Sequence, residues 1–270
     1  MSDQQLDNNS IVIRKRTFGE LVDLMLRMVQ KEGRYVLFWL LWLAVPFAVL
    51  NHFLTLHFVE RVFDLERNSE SWQYAYLMIN IVLTGFELPF ASSLAILYLG
   101  RRTFTPKEKP KSIEILSHWF ESFPQLVFFL LILYPVSFFY ECTVEIITLE
   151  RTPFRSKRKD RITTFKRMRV FHRDRFGEQI GFGLAILCFC FLVMPGFWIC
   201  ASYGIDLLFG QMLYNRFFCT VLIFPIFLWL IYSMVIVLHF LRYLDMRIER
   251  EGWDVELAFR AERAKMKDAP

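Results

Sequence analysis

Glu87 stands in the string LTGFELPFASSLAILYLG and is the one acid in the run from Tyr76 to Gly100. An ionisable group deep in hydrocarbon costs at least about 2.5 kcal/mol to insert, so it must face protein and find a partner or a proton. Asn80 precedes it by seven residues, two helical turns, and therefore shares its face. Glu141 and Glu145 lie four apart and would share a helical face of their own, where two carboxylates can serve as acid and base if folding brings them close. Glu87, Asn80, Glu141 and Glu145 are the candidate polar site within the apolar part of the chain. The competing structural reading is that Pro89 breaks the helix and Glu87 bonds the freed backbone N–H groups.

Other chemistry-bearing patterns are missing from the sequence. His52, His57, His118, His172 and His239 show no HExxH spacing, and no two are three or four residues apart. There is no GxSxG elbow, no phosphate-binding glycine loop and no CxxC. Cys142, Cys188, Cys190, Cys200 and Cys219 are odd in number and lie in or next to apolar stretches, which suits free structural thiols rather than a disulfide framework. No cofactor or metal site is expected, and an enzyme is the less favoured class.

The elements that must hold these residues follow from hydropathy. Of 270 residues 55% are apolar and 17% aromatic, and mean hydropathy is +0.33. That excludes collagen-like, disordered and low-complexity chains. A membrane-crossing helix needs about 20 apolar residues. Four stretches reach that length: 35–59, 76–100, 179–205 and 217–241, and only Glu87 is charged among them. The fold class expected is all-α, a polytopic transmembrane helical bundle with four full spans.

A fifth apolar stretch, Ser122 to Tyr140, is shorter and contains Pro135. If it crossed once, the better orientation would leave 20 basic residues inside and 12 outside; folded back on itself, it leaves 29 inside and 3 outside. The positive-inside rule therefore favours a re-entrant or two-leg hairpin over about 113–147, hinged at Pro135, with both termini cytoplasmic. Residues 1–34 lack the apolar core and cleavage site of a removable signal peptide. They form a cytoplasmic segment in which Phe18, Leu21, Val22, Met25, Met28 and Val29 share one face, the mark of an amphipathic helix lying in the interface or packed on protein.

The loop 148–178 carries the strongest charge. From Arg151 to Arg175 eleven Lys or Arg face two Asp, a net +9. Arg155, Lys157, Arg158, Lys159, Arg161, Lys166, Arg167 and Arg169 are the expected contacts to anionic membrane lipids, with Phe165, Met168 and Phe171 as the apolar face of a helix on the leaflet. Nucleic acid is not an expected partner, because juxtamembrane positive charge follows from topology alone. The tail 242–270 continues the last span as a helix to about Glu251, where Gly252 stops it. A short helix follows, with Trp253 and Phe259 as anchors.

Two polar strings resemble a known group. Tyr243, Leu244, Asp245, Arg247, Glu251, Gly252, Trp253 and Asp254 form a Y-L-D-x-R…E-G-W-D pattern similar to the end of a family of uncharacterised bacterial polytopic membrane proteins. Leu149, Glu150 and Arg151 match the string that opens the basic stretch in the same family. A more distant likeness is to the membrane domain that accompanies some glycerophosphodiester phosphodiesterases. The resemblance implies a multi-pass protein of the bacterial inner membrane and carries over no catalytic or binding residue.

The expected function is a non-enzymatic scaffold, assembly or regulatory component, with the basic loop and the C-terminal tail contacting a protein partner. A small transporter or channel-like protein using Glu87 and the Pro135 hairpin is the alternative. An intramembrane lipid-modifying enzyme using Glu87, Glu141 or His118 comes third.

Overall fold

The structure, a computed structural model, describes residues 17–64, 69–104, 111–129, 142–154, 162–173, 176–209 and 219–251. Among the described residues it is all-helical, with no strand. Helix α1 spans Phe18–His57 and runs on as a π turn, Phe58–Val62. Then come α2 (Glu70–Phe104), α3 (Ser112–Phe128), α4 (Thr143–Glu150), α5 (Thr164–His172), α6 (Phe176–Phe209) and α7 (Phe224–Glu251), the last preceded by a π turn at Cys219–Ile223. Three of these, Phe18–Val62, Ser71–Thr103 and Val221–Arg250, are long and apolar enough to cross a membrane. The fourth apolar stretch, 179–205, lies wholly within α6.

Local chemistry sets the helix starts. Thr17 caps α1 reciprocally: the Glu20 N–H donates to Thr17 Oγ1, and the Thr17 N–H donates to Glu20 Oε2 at 2.9 Å. Ser69 Oγ accepts from the Trp72 N–H ahead of α2, and Thr163 caps α5. Helix α4 is framed by two residues in the left-handed region, Cys142 (φ 60°) and Arg151 (φ 50°), so the chain turns sharply into and out of it.

Two sequence expectations change here. Residues 18–34 and 35–59 form one continuous helix of 40 residues, about 60 Å long, twice the hydrocarbon thickness. Its first turns pack on protein: Leu21 and Met25 are fully buried, and the Phe18 ring meets Phe182 of α6 edge-on. In α5, Met168 and Phe171 likewise enter the core, while Phe165 is exposed and lies beside Phe154. The α1 stripe is thus packed on protein, one of its two expected settings, while in α5 Met168 and Phe171 face the bundle and Phe165 does not. Helix α7 runs past 241 to Glu251, the continuation expected of the last span, and its Tyr243, Leu244, Asp245 and Met246 are buried.

Helix α2 is the centre. It packs on α1, α3, α4 and α7, and every residue from Ala91 to Gly100 is buried. Trp119 of α3 donates its indole N–H to Ser93 Oγ at 2.7 Å and packs edge-on against Phe90. Helix α6 packs on α7. Leu149 of α4 packs directly on Gly100: an added Cβ would lie 2.5 Å from Leu149 Cδ2. Gly100→Val should therefore cost roughly 1–3 kcal/mol of stability. Gly85→Ala, whose Cβ meets open space, should be neutral or stabilising. Thermal unfolding of the detergent-solubilised variants checks the contrast, and equal effects would remove the close α2–α4 contact.

Candidate functional site

Helices α1 and α2 run antiparallel, and their shared face carries a ladder of polar pairs. Asn51 Nδ2 donates to Glu87 Oε2 at 2.8 Å and reaches Thr84 Oγ1 at 3.5 Å. One turn further, Asn80 Nδ2 donates to Thr55 Oγ1 at 3.2 Å and to the Tyr76 carbonyl. His52 Nδ1 and the Tyr76 hydroxyl lie 2.8 Å apart, and Tyr76 stacks on Trp72. Glu87 and Asn80 thus share one face, as their spacing predicts, yet each is paired to α1. Helix α2 continues unbroken through Pro89, so Glu87 is held by a side-chain amide and not by a break in the backbone.

The charged pairs gather at the opposite end of this ladder. Glu32 of α1 is buried and accepts from the Tyr98 hydroxyl at 2.7 Å and from Arg102 Nε at 2.9 Å. Arg101 pairs with Glu114 of α3, Arg151 pairs with Glu121 at 3.2 Å, and both arginines contact the His118 ring. Glu150 of α4 is a hub. Arg167 of α5 grips it with two nitrogens, at 2.5 and 3.0 Å, and the Tyr243 hydroxyl donates to it at 2.9 Å. Arg247 Nε lies 4.0 Å from the same carboxylate and its guanidinium donates to the Tyr243 oxygen. The Arg167 guanidinium also covers the Phe171 ring at 4.6 Å.

These positions separate the candidate residues. Arg167 is turned into the protein and is committed to Glu150, so it is not a free lipid contact, whereas Lys166 and Arg169 are exposed. Arg155, Lys157, Arg158, Lys159, Arg161, Glu141, Pro135 and the tail beyond Glu251 lie outside the described residues. His118 and Glu87 are not brought together: His118 contacts Arg101, fourteen residues or about 21 Å along α2 from Glu87. Glu145 is 3% exposed, on the wall of a cavity of about 130 Å³ between α2, α4 and α7 that His239 also lines. Among the described residues no group of three or more His, Cys, Asp or Glu is placed to hold a metal ion.

Asn51, Glu32 and His239 are residues the sequence reading did not single out for the site, and Tyr243 it named only within the string that carries the resemblance. Glu32, His239 and Tyr243 carried a signal, a titratable or hydroxyl group next to or within a long apolar helix; Asn51 is the lone amide in the first span.

Two outcomes test these contacts. Asn51→Leu and Glu87→Leu in a double-mutant cycle should show a coupling of about 0.6–1.7 kcal/mol, the scale of intramembrane side-chain hydrogen bonds. A coupling near zero by unfolding in detergent would mean that the pair holds nothing. Glu150→Ala strands Arg167 and should cost roughly 3 kcal/mol, while Tyr243→Phe, which removes one neutral donor, should cost about 1 kcal/mol. The reverse order would show that Glu150 is not the hub. Compared with family models, curated proteins and solved structures, the chain matches none.

Proposed function

We propose that the chain is a multi-pass protein of the bacterial inner membrane whose charged end, on the cytoplasmic side, is a scaffold surface that assembles or regulates partner proteins. The observation that carries this reading is the convergence of Glu32–Arg102, Arg101–Glu114, Glu121–Arg151 and Glu150–Arg167 at one end. With Tyr243 and Arg247 these pairs join six helices into one polar surface, from which α5 presents Lys166 and Arg169. Exposed basic side chains at that level also favour anionic lipids, by about 1 kcal/mol each. The two strings that resemble the bacterial family meet in this surface, through the Tyr243–Glu150 bond.

The reading includes four full spans, with α6 as the third in chain order, and a returning segment near 113–147. The Glu121–Arg151 pair supports the return, because a single crossing would set the two ends of that segment about 30 Å apart. Both described arms, ending at Phe129 and beginning at Cys142, line the same cavity beside Pro89. Both termini are then cytoplasmic. A small transporter or channel-like protein is the second reading, favoured by the hydrogen-bonded Glu87 inside the α1–α2 interface.

Cysteines at Arg169 and Phe63, in a background retaining only buried Cys142, test both sidedness and partner contact. A membrane-impermeant thiol reagent added to intact cells should label Phe63→Cys and spare Arg169→Cys; the opposite pattern overturns the orientation. A thiol-directed bifunctional crosslinker should join Arg169→Cys to a discrete protein in permeabilised cells, and truncation after Glu251 should weaken that adduct. Adducts to lipid alone would sink the scaffold reading and leave the membrane reading standing.

A further inference from the structure

Among the described residues, the cavity between α2, α4 and α7 is lined by an acid and a base, Glu145 and His239, for neither of which an ion pair is found. Glu145 is 97% buried by its own exposure of 3% and opens onto this space. Apart from its own backbone N–H, no side-chain hydrogen bond or ion pair joins it to another described residue. His239 of α7 lines the same cavity; its ring packs edge-on against Phe182, centroids 6.0 Å apart, and neither nitrogen has a hydrogen-bond partner among the described residues. The cavity's volume of about 130 Å³ is room for several waters, and its wall includes the Ser92 and Thr143 hydroxyls.

A carboxylate buried with no cation is costly, and so is an imidazolium buried with no anion. Facing one hydrated cavity, each relieves the other. We infer that Glu145 and His239 form a proton-binding site in which water in the cavity links the carboxyl to the imidazole and the pair holds one proton between them. The proton leaves the Glu145 carboxyl O–H for a bridging water, and that water passes a proton to the free ring nitrogen of His239. A carboxylate and an imidazolium replace an acid and a neutral ring, and the net charge of the site does not change. The other groups around the pair leave this charge balance intact. Helix α2 lines the cavity with Leu88, Pro89, Ser92 and Ile96, while Glu87 is turned to Asn51; Phe129, just past α3, and Cys142, just before α4, also line it. Arg242, one turn beyond His239 on α7, is stacked over Phe182 at 5.1 Å and paired with Asp245 at 3.6 Å. The inference does not depend on what the charged end binds.

The full chain in lipid nanodiscs tests it. With ¹⁵N-labelled histidine, the resonance lost in His239→Gln should titrate in the wild type about one pH unit or more above its midpoint in Glu145→Gln, a tenfold or larger loss of proton affinity without the carboxylate. His118→Gln should leave that midpoint in place. Equal midpoints in wild type and Glu145→Gln would overturn the pair. Should Glu145→Gln fail to fold, the infrared carboxyl band of Glu145 gives the same test from the other side: it should move in His239→Gln and in D₂O. A band unmoved by the histidine substitution overturns the pairing, and one unmoved by D₂O overturns the hydrated site.

Discussion

A helix enclosed on all sides must offer small side chains wherever a neighbour crosses it, and α2 does so from Ala91 to Gly100 with Ala91, Ser92, Ser93, Ala95 and Gly100. In lipid there is no hydrophobic gain from bringing two apolar helices together, so close backbone approach and buried hydrogen bonds decide the packing. Ser92 and Ser93 donate back to the carbonyls of Pro89 and Phe90, which removes their polarity from the interface, and Ser93 still accepts from Trp119. The crossing of α4 over Gly100 brings Leu149 onto α2 and sets Glu150, the next residue, facing α5 and α7.

Charge and neutral polarity are divided along the α1–α2 pair. Where Glu32 meets Tyr98 and Arg102, a full ion pair can be tolerated because the guanidinium is near 30% exposed and keeps part of its hydration. About 20 residues further along α1 the partners become Asn, Thr, His and Tyr, and Glu87 is the single carboxyl. An exposed pair such as Asp23–Arg27 adds little by comparison, since water screens it and both side chains lose freedom in making it. What fixes the charged end is burial: Glu150 and Arg167 are each near 10% exposed and geometrically matched, so removing either leaves a charge with no solvent to turn to.

The long apolar helices and the shared face of Asn80 and Glu87 were legible in the sequence, because length, hydropathy and the 3.6-residue period are properties of a single helix. So was the continuation of the last helix to Glu251. What faces those helices was not. Hydrocarbon and protein interior both accept an apolar stripe, so Leu21 with Met25, and Met168 with Phe171, read equally well against lipid or against a neighbour. Asn51 could not be matched to Glu87, nor Glu150 to Tyr243 across 93 residues, because the register between helices comes from packing at residues such as Gly100 and Trp119. Arg167 shows the limit most plainly: within a run of basic residues nothing marks the one whose carboxylate partner lies on another helix.

The two polar systems also differ in what can move. At the charged end the links are mutual, since Glu150 is held by α5 and α7 at once and Arg151 by α3, so displacing one helix breaks contacts on several. Around the cavity the walls are Leu88, Ile96, Phe129 and Val235, which pack without direction, and the backbone enters α4 there through a left-handed residue, Cys142. Apolar packing permits small rearrangement at little cost, whereas a bidentate ion pair does not. Glu145 sits two residues into α4 and Glu150 at its last turn, so one short helix spans from the part of the bundle that can adjust to the part that cannot.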